Sequence, residues 1–96
     1  MSLYVISCVD RPDSMALRMA TREAHLAFVR ETDLVKVRVG GPYLSEVGAM
    51  TGSMLIVEAE TPDAVASFVA NDPYGKAGLF ERVDVFPWKV TVGALG

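Results

Sequence analysis

The chain contains a single histidine, His25, and a single cysteine, Cys8. Histidine titrates near neutrality and can move a proton in either direction. To act as a general acid or base it needs a fixed tautomer, which a carboxylate accepting from one ring nitrogen supplies. Asp72 could be that carboxylate, or it could simply serve an Asn-Asp-Pro turn by satisfying backbone groups. Without such a partner, a lone histidine on a helix flank is usually structural. Ser53 could donate a hydrogen bond to a bound oxygen, or it could be only a small residue opening a strand. No base stands beside it in sequence, so a nucleophilic role is not expected. Tyr74 could line a pocket or pack on a sheet, and Arg22 could hold a substrate carboxylate or form a solvated ion pair. Cys8 sits inside an apolar run and reads as a small buried side chain. Trp88 reads as core or interface.

Several classes of function are disfavoured. One histidine and one cysteine cannot build a zinc set, and no acidic run has calcium-loop spacing, so no metal is expected. The glycines form no phosphate cradle, so neither nucleotide nor any other cofactor is expected. Net charge is −3, from 9 basic and 12 acidic residues, and the basic residues are scattered. That pattern argues against nucleic acid and against an anionic membrane surface. No apolar stretch approaches a membrane span, and the first residues lack the basic flank and length of a signal segment. The unpaired cysteine fits a reducing compartment, so a cytoplasmic location is expected.

The elements that must position these residues can be read along the chain. With 96 residues, one domain spanning 1–96 is expected. Leu3 to Val9 is short and β-branched and predicts a strand. Asp10-Arg11-Pro12-Asp13 breaks it, and Asp13 or Ser14 could cap a helix over 14–31. That helix has one buried face of Leu17, Ala20, Thr21, Ala24 and Phe28, and a second apolar stripe of Met15, Met19 and Leu26 roughly opposite. His25 lies at the edge of the first face, beside Arg18, Thr21 and Arg22. Val35, Val37 and Val39 alternate with Lys36 and Arg38 as a strand that Gly40-Gly41-Pro42 would end, leaving Tyr43 to Met50 as a loop. Ser53 to Ala59 is a third strand. Thr61-Pro62 opens a second helix that Asn71-Asp72-Pro73 closes, and Phe80 to Trp88 is the last strand.

This βαββαβ order predicts an α+β, ferredoxin-like fold: a four-stranded antiparallel sheet with two helices on one face and the first and third strands central. The composition is 51% hydrophobic with a mean hydropathy of +0.31. Leu3, Val5 and Val9 oppose Tyr4, Ile6 and Cys8 across the first strand, and Met54 and Ile56 oppose Leu55 and Val57 across the third. Both sheet faces are therefore apolar, but helices cover only one. Leaving the other wet would cost several kcal/mol at about 25 cal/mol per Å². A second copy stacked sheet to sheet is the expected remedy, so a homodimer is expected, and the Met15, Met19 and Leu26 stripe permits further assembly.

The chain resembles the YciI-like (YCII-related) proteins from about Leu3 to Trp88. The resemblance rests on Arg22 with His25-Leu26, Gly41-Pro42, Thr51-Gly52-Ser53, Asp72-Pro73-Tyr74 with Ala77-Gly78, and Pro87-Trp88. No one of these motifs is specific by itself; their order and spacing are. The resemblance implies a dimeric α/β barrel with an active site built around His25 and Asp72. It also implies general acid–base chemistry, of lyase or isomerase type, on a small cyclic oxygenated compound, and the lack of metal and nucleotide signals makes that chemistry cofactor-independent. The alternative is a non-catalytic dimer that binds a small molecule or another protein. A cofactor-free monooxygenase would rest on fold analogy alone.

Overall fold

The structure is a computed structural model and describes residues 1–95. Its elements run β1 (Ser2–Asp10), α1 (Met15–Glu31), β2 (Lys36–Leu44), β3 (Met50–Ala59), α2 (Pro62–Asn71), α3 (Pro73–Lys76) and β4 (Phe80–Trp88). The sheet order is β2-β3-β1-β4 with every neighbour antiparallel. This is the ferredoxin-like arrangement expected, with β1 and β3 central and the helices on one face.

Side-chain alternation divides the sheet into two faces. On the helix side, Tyr4 pairs with Val57, Ile6 with Leu55 and Cys8 with Ser53. Tyr4, Ile6, Cys8, Leu55, Val57 and Ala59 form the core with Val35, Val65 and Phe68, and Phe28 and Val29 of α1 pack against it. Full burial of each larger apolar side chain is worth about 1.5–3 kcal/mol. On the far side, Leu3 faces Trp88, and Val5 lies between Phe86 and Ile56. Among the described residues no helix covers that side, and Phe86 remains 53% exposed and Val39 47%.

Three local expectations are corrected. Gly40-Gly41-Pro42 does not end β2, which continues to Leu44 with register shifts between Val37 and Val39 and between Tyr43 and Leu44. Proline lacks a donor, but on an edge strand that donor has no partner to lose. The loop shrinks to a tight turn in which Ser45 and Ala49 are bonded and Gly48 takes φ +84°. Second, the buried stripe of α1 is not Leu17, Ala20 and Ala24; Arg18 and His25 are its buried residues, and Leu17 is exposed. Leu26 likewise turns inward rather than lying with the exposed Met15 and Met19. The polar stripe wins because carboxylates and a hydroxyl on neighbouring elements are placed to meet it. Third, Ser14 stands at the N-cap of α1 but makes no side-chain cap bond: its hydroxyl donates to the Pro12 carbonyl at 3.3 Å, and Asp13, before it, has φ 57°.

Helix α2 follows its local signals. Thr61 Oγ1 accepts from the Ala64 N–H at 3.2 Å, Pro62 opens the helix, and Val65 and Phe68 are buried. The short α3 was not expected. Asp72 begins it by accepting the Tyr74 N–H through Oδ1 at 3.0 Å.

Candidate active site

Helix α1 carries His25 across the sheet, and the α2–α3 junction brings Asp72 to it. His25 Nδ1 lies 2.8 Å from Asp72 Oδ1, with both side chains buried. A carboxylate oxygen only accepts, so Nδ1 carries the proton and Nε2 is the basic nitrogen. Nε2 has no protein hydrogen-bond partner among the described residues. The same Oδ1 takes the Tyr74 N–H, so Asp72 both caps α3 and orients the imidazole. The Tyr74 ring stacks on His25 with centroids 4.0 Å apart and planes at 17°, and Phe80 meets Tyr74 edge-on at 5.9 Å. The imidazole is thus held by a bond at one nitrogen and by a face.

A second polar unit, absent from the sequence reading, lies two turns before His25 on α1. Arg18 donates from Nε to Asp10 Oδ2 at 2.7 Å and from Nη2 to Asp10 Oδ1 at 3.1 Å. Nη2 also donates to Ser53 Oγ at 2.7 Å. Arg18 is only 3% exposed, and its guanidinium sits 4.7 Å from the Tyr74 ring centroid. Burial works against its charge, but the hydrogen bond and negative charge of Asp10 more than offset that and hold its pKa above the ordinary arginine value. The available signal was spacing: Arg18 and His25 are seven residues apart and share one helix face. Burial raises the Tyr74 phenol above its usual range, against the opposing pull of Arg18 and Arg22.

Between α1 and the sheet lies a cleft of about 150 Å³. His25, Arg22, Ser53 and Tyr74 all line it, together with Arg18 and an apolar wall of Leu26, Val29, Val37 and Leu55. Asp72 stands behind His25 rather than on the cleft wall. Arg22 is exposed and has no carboxylate partner among the described residues. Cys8 faces the core. Burial, reinforced by the charges of Asp72 and Asp10, pushes its thiol up to about 12, so it is no nucleophile at neutral pH. Trp88 lies on the outer sheet face, paired with Leu3. Among the described residues no group of three histidine, cysteine or carboxylate side chains could hold a metal, and no helix is long and apolar enough to cross a membrane.

A ferredoxin-like α+β sheet with this cleft beneath its first helix defines the class of protein. The chain belongs to the YCII-related domain family, which matches residues 2–89. It is 37% identical over 94 residues to Protein YciI of Escherichia coli O6:H1, covering 91% of this chain and 96% of that protein. Among solved structures it is similar to the 5-chloro-2-hydroxyhydroquinone dehydrochlorinase TftG of Burkholderia phenoliruptrix AC1100, in complex with 2,5-dihydroxybenzoquinone. That likeness has a TM-score of 0.84 and 44% identity, covering 91% of this chain and 93% of the other. An antibiotic biosynthesis monooxygenase shares the fold alone, with a TM-score of 0.61 and 9% identity.

Proposed function

We propose that this protein is a small cofactor-independent enzyme in which His25 moves a proton on a small cyclic oxygenated compound and Asp72 orients it. The single observation that carries this reading is the 2.8 Å bond from His25 Nδ1 to Asp72 Oδ1 at the wall of a one-ring cleft. It leaves Nε2 as a base facing bound substrate, with Arg22, Ser53 and Tyr74 as its surroundings. Nε2 takes a proton from the substrate, and the released electron pair moves into the ring system. The pair then either expels a leaving group such as chloride, which is elimination, or is reprotonated elsewhere by the imidazolium, which is isomerisation. The likeness to a dehydrochlorinase acting on a chlorinated hydroxyhydroquinone supports elimination.

The test is chloride release from 5-chloro-2-hydroxyhydroquinone, followed alongside deuterium exchange from D2O into a set of hydroxylated six-membered rings. Turnover that falls by about 10²–10⁴ in His25→Ala, with the fold intact, is the expected result. A fully active His25→Ala protein would remove the reading.

The working particle in this proposal is a homodimer. Leu3, Val5, Met54, Ile56, Phe86 and Trp88 make an apolar band on the outer face, with Ser7, Glu58 and Asp84 beside it, and a second copy stacked there would bury both bands at once. Such stacking closes the two sheets into the dimeric α/β barrel that the family resemblance implies.

A further inference from the structure

We propose that Ser53, oriented by the Arg18–Asp10 pair, is the oxygen-binding pole of the cleft, donating to an ionised ring oxygen whose charge Arg22 offsets. This deepens the acid–base reading above and rests on it for the role of His25. A guanidinium has donors and no acceptor, so in the 2.7 Å contact between Arg18 Nη2 and Ser53 Oγ the serine must accept. Its own proton is then directed elsewhere, and the Ser53 hydroxyl has no other hydrogen-bond partner among the described residues. Ser53 is buried and lines the cleft, so that proton is available to whatever occupies it. Accepting from a cation strengthens a hydroxyl as a donor.

Charge and size define the ligand class. Asp10 neutralises Arg18, and Asp72 backs His25, but Arg22 is uncompensated and no aspartate or glutamate lines the cleft. The lining therefore favours one negative charge. A cavity of about 150 Å³ is of the size that takes a single benzene ring, and Leu26, Val29, Val37 and Leu55 offer that ring an apolar wall. The substrate class is thus a monocyclic phenol or enol, bound as its oxyanion. In this scheme Arg18 is a positioning residue, whereas Ser53 and Arg22 touch the ligand.

The probe is 4-nitrophenol, whose absorbance reports its ionisation, with nitrobenzene as a neutral counterpart of the same shape. Wild-type protein should ionise the bound phenol about one pH unit below the free compound. Ser53→Ala and Arg22→Gln should each weaken binding of the phenolate about tenfold, with nitrobenzene affinity changed by less than about twofold. Arg18→Lys keeps the charge but not the fork, and should lose much of the ionisation shift while still binding nitrobenzene. The proposal is overturned if Ser53→Ala keeps both affinity and shift, or if nitrobenzene binding falls as far as phenolate binding. The readout needs no turnover. An inactive protein that shifts the phenol leaves this inference standing, and an active one that does not shift it defeats the inference alone.

Discussion

The proposed chemistry is concentrated on few atoms. His25 is held by a carboxylate at Nδ1 and by the Tyr74 ring on its face. Asp72→Asn would offer an amide that can donate to Nδ1, favouring the wrong tautomer and removing the basic Nε2. Turnover in Asp72→Asn should therefore fall by about 10²–10⁴, with circular dichroism unchanged; wild-type rates in that variant would separate Asp72 from the chemistry. Cys8 gives a second expectation at this scale. Its folded pKa of about 12 lies above the roughly 8.5 of an unfolded thiol. A raised acid keeps its proton when folded, so its stabilising contribution is complete below about pH 8.5 and is lost as pH climbs toward 12. Between pH 8.5 and 10 wild type should lose about 1.5 kcal/mol relative to Cys8→Ala in denaturant unfolding. A constant difference between the two proteins would show that Cys8 is not shielded. Native protein at pH 8 should also resist a thiol reagent until it is unfolded.

At the scale of elements, a pair of buried charges ties α1 to the end of β1. Arg18 and Asp10 form a bidentate, buried pair, and Arg18 reaches on to Ser53 of β3. Removing one partner strands the other, so Asp10→Ala should destabilise by about 3–5 kcal/mol. Replacing both, as Asp10→Ala with Arg18→Met, should cost clearly less than the sum of the single changes. Chemical unfolding of the four proteins completes the cycle, and additive losses would mean that the pair is not coupled. Thr61 is a smaller fastening: its side-chain cap of α2 is worth about 1 kcal/mol, which Thr61→Ala should show in the same measurement.

For the whole molecule the decisive feature is an apolar band on the sheet face away from the helices, bordered there by Ser7, Glu58 and Asp84. Phe86 and Trp88 remain 53% and 40% exposed, beside Val5 and Leu3. Wild-type protein should therefore run at twice the chain mass by light scattering at micromolar concentration. Phe86→Asp places a charge in the middle of that face and should yield a folded monomer. A wild-type particle of single-chain mass would refute the dimer and leave the cleft to be explained within one chain.

The order of the four strands and two long helices, the sheet topology and the apolar residues of the outer face could be read from residues alone. They depend on period, on breakers and on caps such as Thr61-Pro62, all of which act between near neighbours. His25 and Asp72 could be named, but their 2.8 Å meeting could not, because it depends on where α1 lies relative to the end of α2. The buried face of α1 was misassigned for the same reason. Periodicity gives Arg18 no place in the core; Asp10 and Ser53, from two different strands, put it there. Hydrophobic periodicity ranks side chains by their affinity for water. A charge can be buried when tertiary structure supplies its counter-charge, and only the folded chain decides where that happens.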